Sequence, residues 1–154
     1  MTKVMRKSVW AACGLLAVAA AKPLIAGEAA VGDVFLCHPG GGLPPVEVVV
    51  GKRETLGDVF AGEQMDAELA HTELVHVQMR GVTDRPLPEV GHSPFLLDVL
   101  QMCEAVAGRS SESLIGDFEG GYAMWKEAAL NDGAGFFTVN PADAYWQMLS
   151  VTGQ

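Results

Sequence analysis

Histidine is the place to begin, because imidazole exchanges protons near neutral pH and is the commonest metal ligand. The chain has four: His38, His71, His76 and His92. His71 and His76 are five apart in a segment that reads as a strand, so alternation sends them to opposite faces. Neither belongs to an H-E-x-x-H or comparable ligand pattern. His38 follows Cys37, and these two with His92 and Cys103 would make a metal site only if folding gathered them. A bond between the two cysteines would remove both thiolates. No metal and no cofactor is expected.

Other candidates are weaker. Ser93 stands between His92 and Pro94 with Asp98 nearby, but it lacks the G-x-S-x-G turn that exposes a hydrolase serine. His92 and Ser93 are retained as a polar site, with a structural role for Ser93 as a helix cap. Gly40-Gly41-Gly42 has no following Lys-Ser/Thr and runs into Pro44-Pro45, so it reads as a turn and not a phosphate loop. The acid pairs Asp66/Glu68 and Asp117/Glu119 could serve acid–base chemistry only in a cleft. Among nineteen acids, most belong to solvated surface.

The setting comes from the N-terminus. Lys3, Arg6 and Lys7 precede an uncharged run from Ser8 to Ala21, and small residues follow Lys22-Pro23. That is the layout of a secretory signal peptide over residues 1–27, with cleavage between 21 and 30. The run is shorter than the ~20 apolar residues a bilayer span needs, so no stable membrane insertion is expected after cleavage. The full chain carries a formal charge of −9; residues 1–27 hold four of its ten basic residues and no acid, so removing them leaves −13. Such a surface repels phosphate backbones, which excludes nucleic acid and leaves a cationic partner or simply solubility in an exported setting. Cleavage also leaves two cysteines, Cys37 and Cys103, which in an oxidising compartment are expected to pair.

The elements that must position these residues follow in order. Val31–Cys37 and Val46–Val50 read as strands joined across the glycine–proline turn. Val59–Gly62 reads as a short edge segment or loop, and Glu63–Leu69 as a helical turn. Ala70–Arg80 reads as a third strand, with Val75, Val77 and Met79 toward the core. Ser93 and Pro94 suit the start of a helix, and Phe95, Leu96, Val99, Leu100, Cys103 and Val106 follow at helical spacing to a stop at Gly108. A short helix is expected from Ser110 through Phe118, interrupted at Gly120-Gly121. Tyr122, Trp125, Ala128 and Ala129 continue a helical stripe to Gly133, Phe136–Val139 reads as a late strand, and Asn140-Pro141 starts a last helix.

These elements make one α+β domain over 28–154: a small, mainly antiparallel sheet, from N-terminal strands plus one late strand, with about three helices on one face. The expected function is a small exported binding or accessory module, inhibitor-like and non-enzymatic, periplasmic or secreted, taking a protein or small-molecule ligand. Its binding surface is placed on His38, Gly40, Gly41, Gly42 and an exposed Trp146. The alternative is a small exported hydrolase whose site is assembled from His and Asp/Glu residues. Convergence of two or more histidines with carboxylates in one pocket favours the hydrolase; scattered histidines and an exposed apolar patch favour binding.

Overall fold

The computed structural model describes residues 28–110 and 117–153. The expected signal peptide and positions 111–116 of the expected short helix lie outside that range. The framework is a five-stranded antiparallel sheet in the order β4-β3-β2-β1-β5. Its strands are β1 (Asp33–Cys37), β2 (Val46–Thr55), β3 (Glu73–Gly81), β4 (Val90–Leu96) and β5 (Glu104–Ser110). β1 and β2 form the expected antiparallel pair, with Val34 opposite Val49 and Cys37 opposite Val46. Gly41 and Gly42 turn the chain between them at φ of 71° and 74°, a conformation that other residues adopt rarely.

β3 is buried from Leu74 to Met79 on both faces, which fixes the layers. On one face Val75, Val77 and Met79 join Val46, Val48, Val50 and Phe95 beneath α4 (Pro141–Val151), which contributes Ala142, Tyr145 and Leu149. Tyr145 is fully buried and donates to the Pro88 carbonyl at 2.8 Å, tying α4 to the β3–β4 connection. On the other face Leu74 packs with Leu56 and Val59 of the short helix α1 (Leu56–Val59), beneath Trp125 of α3 (Phe118–Asp132). α2 (Ala67–Ala70) is a single capped turn before β3. The α+β class is therefore as the sequence suggests. The helices, expected on one face, are divided between two, because β3 presents apolar side chains on both.

The helix expected from Ser93 to Ala107 does not form. Its residues make β4, a 3₁₀ segment (Leu97–Met102) and β5, so Gly108 lies within a strand. A short apolar run buried on both sides has the same periodicity whether strand or helix. Phe95 enters the α4-side core while Leu96 also reaches the Leu74 cluster. Pro94 is tolerated because β4 is an edge strand. Its carbonyl accepts from Phe137 N–H at 2.9 Å on the side away from β3, where its missing N–H also points. The late strand at Phe136–Val139 reduces to one parallel bridge, Phe137 to Phe95. Gly120 and Gly121 interrupt nothing, since both lie in the first turn of α3, where Asp117 caps the Gly120 N–H at 2.8 Å.

The cysteines are bonded. Cys37 and Cys103 have sulfurs 2.09 Å apart and close a 66-residue separation. The bridge joins the end of β1 to the residue before β5, beside the Leu36–Glu104 pair, instead of reaching a helix face.

Candidate active site

Two β-bulges, one on each neighbour of β3, gather the polar residues. On β2, Val50 opposes Val77 and Lys52 opposes His76, so Gly51 is an extra residue. Simple alternation from Val46, Val48 and Val50 would carry Lys52 and Glu54 to the α4 side. The bulge inverts this and sets both on the face of His76. Gly51 is required there for a second reason: a Cβ would lie 2.4 Å from the Phe118 ring. On β4, Ser93 opposes Val77 and Val90 opposes Met79, so Gly91 and His92 together face Gln78. His92 thereby turns to His76 while Val90 packs with the α4-side core. α3 then crosses closely, with a Cβ on Gly121 falling 2.7 Å from the Cβ of His92.

The result is a chain of three groups. Glu54 Oε1 lies 3.0 Å from His76 Nε2, a charge contact off the line of a straight hydrogen bond. His76 Nδ1 lies 2.9 Å from His92 Nε2. A carboxylate beside Nε2 selects the tautomer of His76 with its proton there. Nδ1 is then the acceptor, His92 Nε2–H the donor, and His92 Nδ1 carries a free lone pair. Tyr122 donates to Glu54 with both carboxylate oxygens at 2.9 Å, and Lys52 Nζ is 3.3 Å from the second. Tyr122 and Trp125 stand edge-on to His76 at centroid distances of 5.1 and 4.8 Å, and Phe118 meets His92 at 5.5 Å.

Burial grades along this chain. His76 is wholly buried and the Glu54 side chain is 7% exposed, whereas His92 and Tyr122 are partly exposed. Removal from water pushes His76 down to about 4 against the opposing pull of the Glu54 charge, and pushes His92 down to about 4 likewise. Both rings are therefore neutral at pH 7. Lys52 is raised, chiefly by its hydrogen bond to Tyr122 and with help from Glu54. The three donors do not share a centre, because Glu54 and His92 address opposite nitrogens of His76. Among the described residues no three His, Cys, Asp or Glu side chains are placed to hold a metal ion.

Comparison with known proteins finds no matching family, no matching curated protein and no matching solved structure. The geometry of the site stands by itself.

Of the residues singled out in the sequence, His76 and His92 enter this cluster. Ser93 is buried on the opposite side of β4, opposite Val77. His71 caps α2 at the surface, and His38 is exposed with Nε2 4.0 Å from Glu104. Gly40 donates to Asp143 at 3.0 Å and Asn140 to the His38 carbonyl at 3.2 Å, so the glycine loop is fastened to the start of α4. Trp146, expected to be exposed, is partly buried against the core and donates to the Pro44 carbonyl at 3.0 Å. Glu54, Lys52 and Tyr122 were not legible as a site. The one signal for the first two was Gly51, a glycine closing a β-branched run, which marks a bulge.

A second feature is an open groove of about 690 Å³ beside α4, lined by Val90, Phe137, Met148, Leu149 and Val151 with Glu89 as its only charge.

Proposed function

We propose that Glu54, His76 and His92 form the acid–base relay of a small hydrolase acting on ester-type bonds. One observation carries this reading: two separate bulges turn a carboxylate and an imidazole onto the two sides of a buried histidine, and the chain ends at a partly exposed ring. In the reaction, His92 Nδ1 takes a proton from water as its oxygen adds to the carbonyl carbon. The Nε2 proton of His92 moves toward His76 Nδ1, and the Glu54 charge beside His76 Nε2 offsets the positive charge that develops. The tetrahedral intermediate expels the alkoxide, which recovers the proton from His92, leaving acid and alcohol as products. Tyr122 and Lys52 hold the Glu54 carboxylate in place. The N-terminal pattern and the Cys37–Cys103 bond support an exported setting, periplasmic or secreted; N-terminal sequencing of the product recovered from that compartment tests it.

The test of the relay is hydrolysis of 4-nitrophenyl acetate by the purified chain. Activity is expected to fall as pH drops through about 4, where His92 takes up a proton. H92A should lower kcat/KM by about a hundredfold or more, and E54Q by about ten- to a hundredfold. In E54Q the acid limb should also move to lower pH, because the Glu54 charge supports protonation of both rings. A rate that survives H92A removes the proposal.

The groove beside α4 favours a second reading, a binding or accessory module for an apolar ligand with a cationic group near Glu89. A largely apolar lining of this size, with the single charge of Glu89, suits a small molecule. Enhancement of N-phenyl-1-naphthylamine fluorescence, lost in M148E, supports it; no enhancement with the native chain rejects it.

A further inference from the structure

Beyond residue 22 the chain contains two lysines, Lys52 and Lys126, and both stand over one ring. Lys52 Nζ is 4.2 Å and Lys126 Nζ 5.8 Å from the centroid of Tyr122, whose ring lies 5.9 Å from that of His92. Tyr122 and Lys126 are four apart on α3, so they share a helix face, and Trp125 beside them packs on both imidazoles. The Lys52 charge is matched by Glu54 at 3.3 Å. Lys126 makes no ion pair with a carboxylate among the described residues. Asp58, the further acid that feels both lysines, is committed to the Thr55 N–H and hydroxyl at 2.9 and 2.8 Å. In a chain of charge −9, both lysines of this part of the sequence thus stand at the Tyr122 ring beside the relay.

We propose that the substrate carries a carboxylate in its acyl portion, received by Lys126 with Lys52 behind it while the carbonyl carbon lies at His92. This rests on the acid–base reading above and adds a substrate class to it. A short acyl chain spans the edge of Tyr122 between the ammonium and the imidazole. The net negative charge of the chain disfavours such a molecule over most of its surface, so the lysine pair also selects where it docks.

Two measurements separate this inference from the reading it rests on. The first compares kcat/KM for mono-4-nitrophenyl succinate and 4-nitrophenyl acetate. The charged ester is expected to be preferred at low salt. That preference should fall about fivefold in K126Q, recover in K126R, and weaken as salt is raised. The second follows the indole N–H resonance of Trp125 in H92A while succinate is added; a saturable shift, lost when K126Q is added to H92A, is expected. Hydrolysis dependent on His92 without charge preference overturns the substrate class alone. A succinate shift without hydrolysis of either ester keeps the anion site and overturns the relay. A shift that persists with K126Q overturns the lysine site.

Discussion

At the scale of single residues, the two imidazoles dominate because they share one proton-bearing contact. With Nδ1 of His76 and Nε2 of His92 at 2.9 Å, only one N–H fits between them, and a doubly protonated pair would set two donors and two positive charges face to face. Both rings titrate near 4 in the folded chain against an ordinary value of 6.5. The unfolded chain therefore binds more protons between these values. Stability is at its full value above about pH 6.5 and falls as pH drops from there toward about 4, where the folded pair begins to take up protons. Urea unfolding at a series of pH values measures this. H92Q removes one of the two rings and is expected to reduce the slope by about half; an unchanged slope would assign the acid sensitivity to other groups. None of this was readable from the spacing of His76 and His92, which are sixteen residues apart and meet only across a strand pair.

At the scale of elements, the bulges decide what the strands present. β2 alternates regularly through Val46, Val48 and Val50, and a reader extending that rhythm assigns Lys52 and Glu54 to the wrong side. One extra residue reverses every position after it. G51A tests the device directly, because a methyl group there meets the Phe118 ring at 2.4 Å. The expected loss is about 1–3 kcal/mol of stability, as for other overpacked sites. Near-ultraviolet circular dichroism should change as Phe118 and the neighbouring α3 aromatics shift, and unaltered unfolding and spectra would show that the bulge tolerates a side chain. The misread helix at Ser93–Ala107 has a related cause. Local signals for a cap, a first-turn proline and an apolar stripe were all present, yet an unpaired edge beside β3 and a bridge to Phe137 offered those residues more burial as a strand. Tertiary pairing outweighs propensities worth only tenths of a kcal/mol each.

At the scale of the whole molecule, the Cys37–Cys103 bond ties β1 to β5, whose partner in the sheet is β1 alone. Everything from β2 to the 3₁₀ segment lies inside the closed loop, so the crosslink restricts most of the sheet in the unfolded state. C37S/C103S is expected to lower stability by about 4 kcal/mol in the chain-entropy account. The comparison of urea midpoints for native and double-serine chains checks it, with equal midpoints ruling it out. α3 and α4 lie outside the loop and clamp the sheet from opposite faces, which leaves the relay dependent on α3 for its cover.

The sequence by itself determined the α+β class, the β1–β2 pair, the last helix with its Asn140 cap, and the cysteine pairing. Each rests on a local pattern or, for the cysteines, on two of the three lying beyond the expected signal peptide. Only the tertiary structure decided the fate of residues 93–107, the two-sided burial of β3 and the meeting of Glu54, His76, His92 and Tyr122. Those outcomes depend on strand register, and register is set by which chain lies alongside which. A one-residue bulge is a single glycine in sequence; in the sheet it determines which side chains face one another.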